Sequence, residues 1–272
     1  MSTQQVVLIT GASSGVGQST ARLLSQRAYK VFGTSRNPAS AETIPAVEML
    51  SLDVRADDSV RACVEAVSSR AGHIDVLINN AGYELAGALE ELTAEETRAQ
   101  FETNFFGVVR MIDAVLPAMR RQKRGHIINV SSLAGVSSIP FLGIYSASKF
   151  ALEGYTEALR YEVKPFNIRV SLTEAGFLKT SMMDNRQMAA NRITEYDPWR
   201  QRALDAVRAT EEKAPGPELV AKTLLEIMSS KTPRLRYPIG QQAKSVARLR
   251  RFLPAGMFEQ GVRRTFSLDK TQ

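Results

Sequence analysis

The sequence predicts an α/β fold: one doubly wound domain with a parallel sheet, helices on both faces and a basic C-terminal extension. Two observations predict it. Short, unbroken apolar runs alternate with amphipathic stretches from residue 5 to about residue 230. Strands of that kind are buried on both faces, as in parallel sheets covered by helices. The first run, Val6-Val7-Leu8-Ile9, leads straight into a glycine-rich turn and then a helical pattern. There are no repeats and no Pro/Gly/Ser-rich linker, so residues 1–230 are expected as the domain, with a substrate lid at about 181–215, and 231–272 as the extension.

Strands are expected at 5–10, 30–34, 46–52, 74–79, 126–131, 167–173 and 234–238, with helices near 15–27, 57–71, 95–116, 146–163 and 217–229. Ligands of open α/β sheets bind just past the carboxyl ends of the strands. After the first comes Thr10-Gly11-Ala12-Ser13-Ser14-Gly15-Val16-Gly17. Glycines there permit a tight turn, close approach of backbone to a pyrophosphate and close helix–strand packing, and the phosphates sit on the N–H groups of the helix start. The second strand ends Thr34-Ser35-Arg36-Asn37 without the acid that would grip a ribose 2′-hydroxyl. Arg36, with Ser13 or Ser14, suits a 2′-phosphate and hence NADP, preferred over NAD; a solvated loop arginine is the plainer reading. Asp53 and Val54 after the third strand, and Asn80, Ala81 and Gly82 after the fourth, fit the edge of an adenosine pocket. Both Asp53 and Asn80 also suit simple turn or loop caps.

Ser132 follows the fifth strand, and Tyr145 and Lys149 come at positions i and i+4 of a helix, on one face. A phenol titrates near pH 10; an ammonium beside it is expected to lower that value and make Tyr145 a usable acid–base group. The stripe Phe101, Asn104, Phe105, Val108, Met111 turns Asn104 towards the core. A buried amide needs partners: a neighbouring loop backbone, a water that feeds protons towards Lys149, or both.

Composition removes other classes. The 272 residues are 44% apolar and 23% charged, with no apolar run long enough to span a bilayer. No secretory signal is recognisable ahead of the first strand, and a single cysteine suits a reducing, cytoplasmic setting. Two histidines leave little for a metal site or a Ser-His-Asp triad, and no metal is expected. The net charge of +7 is all in the tail: residues 1–230 hold 25 basic and 26 acidic side chains, and residues 231–272 hold 10 and 2. A nucleic-acid-binding core is therefore not indicated.

Taken together, Thr10-Gly11-x-x-x-Gly15-x-Gly17, Asn79-Asn80-Ala81-Gly82, Asn104, Ser132 and Tyr145-x-x-x-Lys149 resemble the short-chain dehydrogenase/reductase family over about residues 5–230. The resemblance implies a Rossmann-type, seven-stranded parallel sheet and hydride transfer between NAD(P) and a carbonyl or alcohol. It implies Tyr145 as acid–base, Lys149 as tuner and ribose binder, Ser132 as anchor of the carbonyl oxygen and Asn104 as support of a proton relay. Gly176, Phe177 and Thr180 match the nicotinamide loop, with Ala175 where the family has proline. Thr34-Ser35-Arg36 and Pro233-Arg234-Leu235-Arg236-Tyr237 resemble hydroxysteroid and retinol dehydrogenases more narrowly. A homodimer or homotetramer is implied.

The substrate is expected to be a small carbonyl or alcohol compound, apolar in character and steroid-, retinoid- or lipid-like. Its pocket would be lined by Ser132, Leu133, Leu142, Tyr145, Met182 and Met183, adaptable methionines suiting an apolar ligand as well as they suit plain packing. A dinucleotide-binding sensor without catalysis, or a reductase of an acyl-ketone phosphate lipid, are the alternatives. In the tail, Val246, Leu249 and Leu253, then Met257, Phe258, Val262 and Phe266, form apolar stripes among arginines. Such stripes pack on the body or a partner subunit, or lie on an anionic membrane surface.

Overall fold

The computed structural model describes residues 4–182 and 186–269. Its strands, in chain order, are β1 (Gln5–Ile9), β2 (Tyr29–Ser35), β3 (Val47–Ser51), β4 (Val76–Asn79), β5 (Leu85–Ala86), β6 (Gly125–Ser132), β7 (Ile168–Ala175), β8 (Gln187–Met188) and β9 (Arg236–Ile239). One seven-stranded sheet runs β3-β2-β1-β4-β6-β7-β9, and every pairing in it is parallel. The order reverses between β1 and β4, which opens a crevice at the carboxyl edge. The helices are α1 (Gly15–Ser25), α2 (Asp57–Ala71), α3 (Ala94–Phe101), α4 (Gly107–Gln122), α5 (Gly143–Val163), α6 (Asp197–Glu212), α7 (Glu218–Ser229), α8 (Gln241–Phe252) and α9 (Ala255–Thr265).

The unbroken apolar runs follow from burial on both sides. Along β1, Val6 and Leu8 point into one core with Leu77, Ile127, Val60, Met111, Ile112 and Leu159, under α2, α4 and α5. Val7 and Ile9 point into the other, with Ile78, Ile128, Leu24, Leu224 and Ile227, under α1 and α7. Each such side chain, taken fully out of water, contributes about 1.5–3 kcal/mol.

Four expectations take their detail from the packed structure. The single helix expected over 95–116 is α3 and α4 joined by a π turn at Glu102–Phe106. Its start is fixed by a capping box: Thr93 Oγ1 accepts from Glu96 N–H at 3.1 Å and Glu96 Oε2 accepts from Thr93 N–H at 2.9 Å. The seventh strand lies past residue 230, where Arg236–Ile239 pairs with Leu172–Ala175 of β7, so the sheet closes inside the segment expected as an extension. The lid region contains a true helix, α6, and the short strand β8, which pairs with β5. In the tail, Val262 and Phe266 of α9 and its end pack with Ala203, Val207, Leu142 and Tyr145, so that stripe covers the body. Leu249, Phe252 and Met257 stay exposed, Phe252 at 77%. No helix among the described residues is long and apolar enough to cross a membrane.

Candidate active site

A cavity of about 690 Å³ opens at the carboxyl edge of the sheet. Its floor is the turn after β1. Gly11 (φ +68°) and Gly15 (φ +54°) are left-handed, a conformation costly for any residue with a Cβ. Thr10 ties this turn to the loop after β4: its Oγ1 accepts from Asn80 N–H at 2.9 Å and Ala81 N–H at 3.0 Å. Asn80 Nδ2 returns hydrogen bonds to Thr10 O at 3.0 Å and Gly11 O at 2.9 Å. The loop-holding reading of Asn80 is thus realised, while Asn80, Ala81 and Gly82 still border the cavity. Ser14 makes no capping bond at the start of α1. The first N–H groups of that helix, which have no partner within it, face the side bordered by Gly11, Ser13, Ser14, Gly15 and Val16. Gly17 does not border the cavity. A Cβ there would lie 2.2 Å from Gly11 O, so the bare Gly17 lets α1 pack closely on the turn. A glycine cradle at a helix start fits a dinucleotide pyrophosphate.

Arg36, exposed at the end of β2, borders the cavity, as do Asp53 and Val54. Asp53 is realised as a turn cap: its Oδ1 accepts from Arg55 N–H and Nε, both at 3.0 Å, and its Oδ2 from Arg55 Nη2 at 2.7 Å. The Arg55 guanidinium holds this carboxyl down at about 2. Its acceptor capacity is therefore largely taken by Arg55, which the expectation of an adenine contact did not foresee.

At the reacting end, α5 starts at Gly143 and presents Tyr145 and Lys149 one turn apart, 5% and 6% exposed. Lys149 Nζ donates to Val130 O of β6 at 2.9 Å and lies 5.8 Å from the centre of the Tyr145 ring. Ser132 ends β6; its Oγ accepts from Ala134 N–H at 3.1 Å and also contacts the Tyr145 hydroxyl. One expectation is overturned here. The Tyr145 phenol is pushed up, not down: burial is the main cause and the Glu84 carboxylate adds to it, while the Ser132 contact opposes. Burial also lowers the Lys149 ammonium to about 8, against the pull of Glu84 and Glu153. A low-dielectric pocket penalises both charged forms, which outweighs the ion–ion help that helical spacing alone suggests.

Asn104 sits on the π turn, 1% exposed and away from the cavity. Its Oδ1 accepts from Tyr83 N–H at 3.1 Å, and its Nδ2 donates to Tyr83 O at 3.0 Å and Ser148 Oγ at 3.4 Å. The loop-satisfying reading is realised, and Asn104 positions the strand-four loop against α5. Leu133 borders the cavity; Leu142 does not, being packed behind Tyr145 in the α6–α9 cluster because it precedes the first turn of α5. Met182 borders it, half-exposed, whereas Met183 lies outside the described residues. Gly176, Phe177 and Thr180 border it, and Gly176 N–H donates to Ile239 O at 3.0 Å, so the loop after Ala175 is held by β9 without the proline.

An ion cluster at this end was not foreseen. Arg186 Nε donates to Glu84 Oε2 at 2.8 Å and its Nη2 to Glu211 Oε1 at 2.8 Å. These residues come from the loop before β5, the segment before β8 and the last turn of α6, and no sequence spacing links them.

The short chain dehydrogenase family pattern matches residues 5–191. A 3-ketodihydrosphingosine reductase of Bacteroides thetaiotaomicron is 44% identical over 262 residues, covering 95% of this chain and 97% of that protein. Retinol dehydrogenase 8 of Homo sapiens is 36% identical over 85% of this chain and 80% of its own length. A crystal structure of a short-chain dehydrogenase from Streptomyces avermitilis superposes with a TM-score of 0.83 at 29% identity, over 100% of both chains. On matches of this length and identity, the chain belongs to the short-chain dehydrogenase family, and it is an oxidoreductase that interconverts carbonyl and alcohol groups with a nicotinamide dinucleotide.

Proposed function

We propose that the protein is an NADPH-dependent reductase of a long-chain ketone of the 3-ketosphingoid type. The observation that carries the reading is the end-to-end likeness, at 44% identity, to a reductase named for that substrate. Dihydrosphingosine is a long-chain 2-amino-1,3-diol, so its 3-keto form joins an apolar tail to a small polar head. Leu133, Ile139 and Met182 offer apolar surface in the cavity, and Glu84, Glu211 and Ser132 offer polar surface. NADPH over NADH is supported by Arg36 at the rim and by the lack of an acid at the end of β2. Purified protein with NADPH and 3-ketodihydrosphingosine should consume NADPH and yield the 3-alcohol. Binding of NADPH with no turnover of any ketone in a panel would favour the sensor reading instead.

Bound dinucleotide would supply the hydride to the carbonyl carbon. The chain's own groups manage the oxygen. Ser132 and Tyr145 donate hydrogen bonds to it, and Tyr145 gives up its proton as the alkoxide forms. A buried phenol that stays protonated suits this direction, since a proton donor must hold its proton until the carbonyl oxygen becomes basic. Lys149, held by Val130 O, keeps a positive charge within reach of the Tyr145 ring and would hold the ribose of a bound dinucleotide.

That charge gives a pH expectation. Lys149 is depressed from 10.5 to about 8, so the ammonium is present below that pH and lost above it. The kcat/KM for NADPH reports the free enzyme, and it is expected to decline above about pH 8, approaching tenfold per unit. A profile flat to pH 10 would remove Lys149 from the reading.

Phe106, Phe150 and Tyr161 are exposed on the π turn and α5, at 44%, 36% and 64%, which supports a homodimer or homotetramer; light scattering at monomer mass would overturn it. Leu249, Phe252 and Met257, exposed among Arg248, Arg251 and Arg264, support a peripheral contact with anionic lipid. Co-flotation with phosphatidylserine vesicles that is lost in Phe252→Ser is the expected result, and absence of flotation would end that idea.

A further inference from the structure

Tyr145 and Lys149 are the first members of a longer row. Positions four apart on α5 run Tyr145, Lys149, Glu153, Glu157 and Tyr161, along one winding face from the cavity to the surface. Glu153 is buried and does not border the cavity. Its Oε2 accepts from Arg236 Nε of β9 at 3.0 Å, and Arg236 Nη2 donates onward to Glu157 Oε2 at 2.6 Å. Gly135 ends the short turn Leu133–Gly135 after β6, and a Cβ there would lie 2.9 Å from Ser131 Oγ, 3.1 Å from Glu153 Cγ and 3.1 Å from Lys149 O. The bare glycine lets Ser131, the Glu153 side chain and the backbone of Lys149 gather at one point. Lys149 Nζ donates to the neutral Val130 O, and among the described residues no carboxylate is ion-paired with it. Its charge is favoured at longer range by Glu84, from the loop before β5, and by Glu153. Glu84 is already shared with Arg186. Arg236 has Glu157 and, at 3.5 Å, Glu174 of β7 as further anions. Glu157 alone would tie Arg236 to α5, so the buried Glu153 is surplus to that tie, and the cation one turn before it on the same face is Lys149. Burial pushes the Glu153 carboxyl up, while the Ser131 hydroxyl, Arg236 and Lys149 pull it back. Glu174, with only Arg236 to oppose burial and the Glu153 charge, is pushed up to about 7.

We propose that Glu153, held in place by Arg236, is a positioning residue for the reaction: its carboxylate keeps the Lys149 ammonium charged on its Val130 perch and so sets how far into alkaline pH the enzyme works. A buried ammonium without a compensating charge gives up its proton instead of paying for desolvation. A neutral amine could still donate to Val130 O, but it would bring no positive charge to the phenolate that forms as Tyr145 releases its proton. Glu153 touches neither ketone nor dinucleotide and acts through Lys149. The proposal rests on the role given to Lys149 above and names the group that sustains it.

The test follows Lys149 itself. Carbon-13 NMR of the lysine ε-carbons, in protein without dinucleotide and with the Lys149 signal assigned by its loss in Lys149→Met, gives the titration midpoint directly. Glu153→Gln keeps the side-chain length and an acceptor for Arg236 and removes the charge. In that variant the Lys149 midpoint should fall by about one pH unit, the effect of one nearby charge inside a protein. The kcat/KM for NADPH with 3-ketodihydrosphingosine should follow, with a loss of about fivefold near pH 8 that fades as the pH falls. A Lys149 midpoint that stays put would overturn the proposal, as would a loss of activity equal at every pH, which is what a packing role alone gives. The unmodified protein supplies a check that needs no variant. The δ-carbon of Glu153 should report an ionised carboxylate at about pH 7.5, and a protonated one there would also overturn the proposal. A lowered midpoint in a protein that reduces no ketone would sink the reductase reading and leave the coupling of Glu153 to Lys149 standing.

Discussion

Tyr145→Phe is expected to lower kcat for ketone reduction by about a hundred- to ten-thousandfold, the range that a positioned general acid contributes. Only the hydroxyl is lost. The ring stays in its apolar cluster with Leu142, Val207 and Phe266, so the fold around it has no reason to change. The dinucleotide side of the cavity, from Gly11 to Arg36, is built from other elements, and NADPH affinity measured by fluorescence titration should stay within about threefold, since distant sites act independently. The raised phenol makes the outcome sharper. A donor that holds its proton across the neutral range is not easily replaced by water in a pocket where Tyr145 is 5% exposed. A variant that retains a third of the activity would show that the proton comes from elsewhere.

Arg36→Ala is expected to raise KM for NADPH by about tenfold to a hundredfold and leave NADH nearly unchanged, because hydrogen bonds to a charged group contribute about 1.5–3 kcal/mol. Arg36 is exposed, and its loss should not disturb folding. The ratio of the two kcat/KM values therefore isolates the 2′-phosphate contact. If the unmodified protein uses NADH as well as NADPH, the residue has no such role.

What the sequence made legible was the part set by local rules. Val6 to Ile9 read as a strand buried on both faces because successive side chains alternate between two cores, and the same held for β2, β4 and β6. Strand ends then located Gly11, Asn80 and Ser132, since a parallel sheet brings all carboxyl ends to one rim, and helical spacing located the pair Tyr145 and Lys149. What stayed hidden depends on contacts distant in sequence. Helical spacing put Lys149 beside Tyr145, but only the packed structure shows the burial that pushes the phenol up. Leu142 is close in sequence to Tyr145 yet turns into the α6–α9 cluster. Glu84, Arg186 and Glu211 meet across segments with no shared motif, so no window of residues could have joined them. Asn104 was legible as an inward amide; that it grips Tyr83 depends on the π turn, which periodicity near 3.6 does not reveal.

The seating of Phe266 and Val262 against the helix that carries Tyr145 makes the end of the described chain part of the floor under the chemistry. Trimming by proteases or a bulky fusion at that end would be felt by the reacting ketone. Substrate range could then be retuned by exchanging a short terminal segment, leaving the nucleotide half of the enzyme untouched.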